Sequence, residues 1–380
     1  MHPDIDPGPG VHYRVALIAV ILLLPLGAFL HADDAVPPVG MVKLRTVAAP
    51  PEGRLLDVGI AIFDPGIPDD KSTHSRLGIF PEIRKSEARF TAVILRQALV
   101  RSNAWGVVRV LPEPDDTAAL LVTGRILRSD GQELQVRITV RDATGRVWLD
   151  RDYRDVATDG DYPVPPGQDP FGDLYRAVAN DMLAVRERLG DTNLRTIRDV
   201  AALRYASSLS PEAFSGYLSR DPQGNYRLQR LPAAGDPMMD RVVRIRNQEY
   251  LFIDTLDENY ADLYQAMSPT YNLWRQYRRE QAVFREHYQE RVENRDSRGR
   301  RGSFEAMLQT YDAYKWSKIH EQDLDELAQG FNNEVEPTVL EVSGKVFRLT
   351  GTLDAQYRDW RDILRQIFEL ETGLPAAPEG

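Results

Sequence analysis

The chain has 380 residues, 42% hydrophobic and 27% charged, which is long enough for two globular domains of ordinary composition. A net charge of −10 argues against general nucleic-acid binding, which needs a basic surface to neutralise phosphates. With no cysteine, disulfides, thiolate metal sites, a cysteine nucleophile and lipoprotein anchoring through a processed cysteine are all excluded.

The N-terminal end addresses compartment. Arg14 precedes an apolar run from Val15 to Leu30, broken late by Pro25 and Gly27, and Leu30 and Ala32 suit the −3 and −1 positions of a cleavage site. The run is shorter than a membrane span of ~20 residues and close to a secretory core. Residues 1–32 are therefore expected to be a signal peptide, with an uncleaved anchor as the rival. Both place the bulk of the chain in a bacterial periplasm, either free or anchored to the inner membrane, and only the anchor gives membrane contact. No twin-arginine pair is present, so the general secretory route is expected. Residues 33–54, rich in Pro, Gly and Ala without a sustained period, read as a linker.

Residues 55–190 alternate between strand and helix signals. Leu55 to Phe63 is a short apolar run closed by Asp64-Pro65-Gly66, and Pro81 opens a helix with Phe90, Ile94, Leu95, Ala98 and Leu99 on one face. Trp105 to Pro114 and Ala118 to Leu127 read as two more strands. In residues 134 to 153 Leu134, Val136, Ile138 and Val140 alternate with polar residues, and Asp142 to Gly145 carries turn chemistry. Phe171 to Leu189 reads as a helix. The predicted order is β-α-β-β-β-β-α. Matching the apolar sets places Val140 opposite Val147 and Ile138 opposite Leu149, because the other register turns Asp150 and Asp152 onto the core face. Trp148 then lies on the opposite face, within reach of Arg141 or Arg146, either as core under a helix or as a partner-binding aromatic.

The strand ending in F-D-P, the following helix, W-G-V-V-R-V, L-V-T-G-R-I and above all V-R-D-A-T-G-R-V-W, from Val140 to Trp148, carry a resemblance. Residues 55–190 resemble the domain shared by the curli-secretion lipoprotein, the amino-terminal domain of the TolB periplasmic protein and the lipoprotein activators of penicillin-binding proteins. The resemblance implies a mixed β-sheet with flanking helices, and a role in ring assembly or docking onto other envelope proteins. It transfers no catalytic residue. The missing cysteine departs from the lipoprotein members.

Residues 191–380 read as a mainly helical domain. Ser210-Pro211-Glu212 has the signature of a helix start. Residues 219–240 read as loop. Leu256, Tyr260, Leu263, Tyr264 and Met267 share one helical face, and Ser268-Pro269 reads as the start of a further helix carrying Tyr271, Trp274, Tyr277, Phe284 and Tyr288. Asn294 to Ser303 is a charged loop, after which Phe304 to Ile319 resume the stripe, so an antiparallel helix pair is expected. The stripe suits core packing between helices better than a ligand box. Arg298, Arg300 and Arg301 form a solvated loop or a site for an acidic partner or lipid phosphate. Thr338 to Thr352 is a hairpin, followed by a helix with Tyr357, Trp360, Leu364, Ile367 and Phe368 on one face, stopped at Gly373. Hairpin and helix together are similar to half of a BON domain, a small envelope module. The expected class is α+β.

Linear templates for chemistry do not match. His2, His12 and His31 fall in the leader, His74 in a Ser/Thr loop, and His287 and His320 on the expected helix pair without Glu-x-x-His spacing. His320-Glu321 opens like a zincin motif, but position 324 is Leu. There is no phosphate-binding glycine loop and no Gly-x-Ser-x-Gly elbow. No catalytic, cofactor or metal residue is therefore assigned. The expectation is a non-enzymatic envelope accessory or assembly protein, working through protein contacts or self-association. The alternatives are a binding module for cell-wall polymer or lipid, and an enzyme without a linear motif. Trp148, Arg141, Arg146, Arg298, Arg300 and Arg301 are the candidate interaction residues.

Overall fold

The computed structural model describes residues 36–293, 338–342 and 345–373, with isolated positions between 311 and 326. The leader lies outside the described residues, as do the charged loop with Arg298, Arg300 and Arg301 and most of the expected second arm of the helix pair. Among the described residues, no helix is long and apolar enough to cross a membrane.

The chain is α+β. A mixed five-stranded sheet has the order β2-β1-β3-β4-β5, where β1 is Val58–Ala61, β2 Val108–Leu111, β3 Leu120–Ser129, β4 Glu133–Asp142 and β5 Val147–Val156. β1 is parallel to both neighbours and buried throughout, hence its unbroken apolar sequence. The short helix α1 (His74–Leu77) precedes α2 (Pro81–Ser102), which starts with Pro81 at its first turn and ends on Asn103 at φ 57°. α2 and α3 (Gly172–Glu187) pack on one face of the sheet, over Val136, Ile138 and Val140. Gly124 in β3 leaves room for the Phe63 ring, which any Cβ at that position would strike.

The β4–β5 pairing corrects the expected register. Val140 faces Leu149 and Arg141 faces Val147, with a bulge at Trp148, so Ile138 faces Arg151 and Val136 faces Tyr153. The cause lies in the turn. Gly145, at φ 98°, donates to the Asp142 carbonyl at 2.8 Å, and the Asp142 carboxylate accepts from Thr144 N (2.9 Å) and from the Trp148 indole (2.8 Å). One extra residue is thereby drawn inward, and Val147 is left 46% exposed. Asp150 and Asp152 do face away from the core, where both pair with Arg137.

The segment expected as a linker is bonded to the sheet and helices. Val39 N donates to Arg154 O on β5 (2.8 Å), Arg45 N to the Asn180 side chain of α3 (2.8 Å), and Val47 N to Ser102 O at the end of α2 (3.0 Å).

Beyond residue 190 three expectations change. α4 spans Asp191–Leu209 and stops at Ser210, where a helix start was expected; residues 211–217 form turns instead, with Gly216 at φ 79°. The expected loop contains a small hairpin, β6 (Leu218–Arg220) and β7 (Tyr226–Leu228). Finally α5 runs unbroken from Pro237 to Glu293 with Pro269 inside it. An interior proline costs about 3 kcal/mol. The buried stripe Leu256, Tyr260, Leu263, Met267, Tyr271 and Trp274 continues on both sides of it, and each such side chain contributes roughly 1.5–3 kcal/mol by burial. The stripe wins.

β8 (Thr338–Val342) and β9 (Lys345–Leu349) form the expected C-terminal hairpin, with Leu340 opposite Phe347. α6 (Leu353–Thr372) is capped by the Thr352 side chain on Ala355 N and ends on Gly373 at φ 68°. Its Tyr357, Trp360, Leu364 and Phe368 are buried, and Tyr357 and Trp360 pack on Phe252 of α5.

The described residues from Val36 onward belong to one compact unit, and α5 is its spine. Along its length Arg246 reaches Thr117, Asp254 pairs with Arg109, Asp257 with Arg96, Tyr271 donates to Glu87, and Arg275 pairs with Asp169. The β4–β5 turn is gripped as well: Arg204 of α4 donates to Ala143 O (3.0 Å) and Tyr226 N of β7 to Thr144 O (2.7 Å). The helical portion is therefore bonded to the sheet portion at several separate points.

Candidate functional site

Alternation decides which surface is free. On β3, β4 and β5 one set of side chains lies under α2 and α3; the other, apart from the buried Leu121, reaches solvent. The free face carries Thr123 and Arg125 from β3, Gln135, Arg137, Thr139 and Arg141 from β4, and Val147, Asp150 and Asp152 from β5. Arg137 sits at its centre, 2.9 Å from Asp150 and 3.2 Å from Asp152. Directly opposite on β3 is Arg125, itself 3.5 Å from Asp64. A pair of arginines opposite one another is destabilising in a sheet unless its charges are answered. Here three carboxylates answer them, giving a lattice of both charges backed by α2 and α3.

The sequence-derived candidates divide. Arg141 and Arg146 are exposed, at the turn end of this face, with Arg141 bonded to Gly145 O at 3.4 Å. Trp148 is not presented: it is 7% exposed, tilted against Trp105 with ring centroids 6.3 Å apart, and held by Asp142. The bulge swung it inward, away from the arginines expected to flank it. The aromatic stripe of α5 is likewise core, from Tyr260 (1% exposed) to Trp274 (2%).

Two buried ionic clusters escaped sequence reading, because their members are scattered along the chain. In one, Asp115, Arg246, Glu249 and Arg361 meet Tyr205 and Tyr357 where α4, α5 and α6 approach the sheet. Burial alone would raise the Asp115 carboxyl, but Arg361, Arg246 and its bonds to Thr117 outweigh it and hold it low. Burial, reinforced by Asp115, pushes Glu249 up. In the other, Glu87 pairs with Arg84 at 2.7 Å and accepts from Ser129 (2.8 Å) and Tyr271 (2.6 Å). Both clusters join elements that are distant in sequence, Tyr357 of α6 to Glu249 of α5 in the first and Tyr271 of α5 to Glu87 of α2 in the second. His74 donates to Pro68 O at 2.7 Å within its loop. Among the described residues no group of three or more His, Asp and Glu side chains is placed to hold a metal ion.

No family model matches the chain, and neither the curated proteins nor the solved structures offer a match. The site therefore rests on its own geometry. What that geometry can do is hold a partner surface: it is broad, polar, charge-patterned and fixed from behind by α2 and α3.

Proposed function

We propose that this chain is a non-enzymatic accessory or assembly protein of the bacterial envelope, with the free face of β3–β5 as its protein-contact surface. The observation that carries the reading is the Arg125–Arg137 rung with Asp64, Asp150 and Asp152 around it. Charge lattices of this kind set register and suppress wrong partners more than they add raw affinity. The resemblance of residues 55–190 to docking domains of envelope proteins supports it, and the apolar run from Val15 to Leu30 supports a periplasmic setting. The partner is another envelope protein or a second copy of the chain.

Charge reversal tests this. Arg137→Glu places three carboxylates together on an exposed face, leaving the core untouched. Crosslinked complexes formed by the wild-type chain in envelope fractions should disappear in the variant while its circular dichroism stays unchanged. Retention of the same complexes would remove the free face from consideration.

A further inference from the structure

A cavity of about 350 Å³ lies where α2, α3 and α5 meet the loop before α3, with Leu44 of the N-terminal segment in its wall. Five charged side chains line it. Three of them are answered inside the protein: Asp169 pairs with Arg275 at 2.8 Å, and Asp173 with Arg176 at 2.7 Å. Arg101 and Asp161 are the other two. Arg101 donates from Nε to the Gln97 carbonyl at 3.1 Å and from Nη2 to Gln97 Oε1 at 3.3 Å, both neutral acceptors. Asp161 Oδ2 accepts from Thr158 N and Thr158 Oγ1, each at 2.7 Å and each neutral. Among the described residues no carboxylate pairs with Arg101 and no cation with Asp161.

A hydroxyl is unspent as well. The Tyr264 ring packs edge-on against Phe90, with centroids 5.2 Å apart, and among the described residues its hydroxyl has no hydrogen-bond partner. Burial, reinforced by Asp169, pushes that hydroxyl up to about 12 against the pull of Arg275 and Arg101, so it remains a donor at neutral pH. Arg101 and Tyr264 therefore offer donors to a carboxylate, and the planar guanidinium edge matches one. Asp161 Oδ1 offers an acceptor to an ammonium group. The apolar share of the wall comes from Leu44, Ile94, Ala98 and Pro170.

The two unanswered charges decide the ligand. A simple anion would meet Asp161 as well as Arg101, and a simple cation the reverse; like charges brought together cost affinity. A molecule carrying one charge of each sign meets both. The volume lies near the lower end of small-molecule sites, which start at about 300 Å³. We propose that this cavity binds a free α-amino acid with an apolar side chain, its carboxylate on Arg101 and Tyr264 and its ammonium on Asp161. The proposal does not depend on the free sheet face.

The experiment is calorimetric titration of the full chain with leucine, glycine, leucinamide, N-acetylleucine and glucose. Leucine should bind. Leucinamide, which lacks the carboxylate, and N-acetylleucine, which lacks the ammonium, should each bind about tenfold more weakly or worse. Glycine should also bind more weakly, because it leaves the apolar wall uncovered. Arg101→Gln, at an exposed position, should abolish the preference for leucine over leucinamide and keep that over N-acetylleucine; Asp161→Asn should do the opposite. Tyr264→Phe should weaken leucine and leave leucinamide unchanged. A merely structural role for these side chains would weaken all ligands together. Absent leucine binding, equal binding of leucinamide or N-acetylleucine, tighter binding of glucose, or selectivity unmoved by Arg101→Gln overturns the proposal.

Discussion

Arg275 of α5 and Asp169 of the loop before α3 form an ion pair at 2.8 Å, with side chains 3% and 4% exposed. Arg275 also lies over the Tyr271 ring, 4.2 Å from its centroid, and its Nη2 reaches Asn272 Oδ1 at 2.6 Å. Removing one member of such a pair strands the other in the interior, whereas replacing both with apolar residues is often neutral. Asp169→Ala should therefore destabilise the chain by about 3–5 kcal/mol, and Asp169→Leu with Arg275→Met should recover most of that loss. Urea unfolding of the three proteins is the measurement. Equal losses in the single and double variants would mean that the pair is not what joins α5 to the sheet portion.

A second expectation concerns the turn. Asp142 accepts from Thr144 N and from the Trp148 indole, so it fixes both the turn and the bulge. Asp142→Ala should cost about 1–3 kcal/mol by leaving a buried indole N–H without an acceptor. Trp148 fluorescence should shift to the red as the bulge loosens. An unshifted spectrum would show that packing on Trp105, rather than the hydrogen bond, places this ring.

Acid titration offers a third. Burial pushes the Asp257 carboxyl up to about 6 against the pull of Arg96, and pushes Asp155 up to about 6 with Asp173 adding to it. A carboxyl whose folded pKa lies above its unfolded value of about 3.9 binds its proton more tightly when folded. Its contribution to stability is complete below pH ~4 and is lost as pH rises through about 6. Asp257→Asn should flatten the fall in stability between pH 4 and 7 by on the order of 1–3 kcal/mol. Thermal melts across that range decide it, and an unchanged slope would show that Asp257 titrates normally.

Much of the sheet was legible because strand period, breakers and turn residues are local signals. The run of four apolar residues at Val58–Ala61, the Pro81 start and Asn103 stop of α2, and the C-terminal hairpin and helix all follow from neighbours in sequence. What escaped was long-range. Ser268-Pro269 carries the local sign of a helix start, yet burial of Met267 and Tyr271 on one stripe overrode it. The β4–β5 register turned on one side chain, Asp142, competing for an indole. The strap from Val36 to Arg54 looks like a linker by composition, and only its bonds to β5, α2 and α3 show otherwise. Of the candidate site, Arg141 and Arg146 were singled out as neighbours of Trp148, and they are exposed but without that ring; Arg137 and Arg125 were not singled out, because their opposition needs the β3–β4 register.

The central claim is that the free face of β3–β5 meets a protein partner. Photoreactive residues placed singly at Thr123, Gln135, Thr139 and Asp150 in intact cells, with Asp181 and Glu258 as controls away from that face, test it most directly. The account predicts a discrete adduct of one size from the four sheet positions and none from the two controls. Adducts from the controls alone, or none from any sheet position, would contradict it.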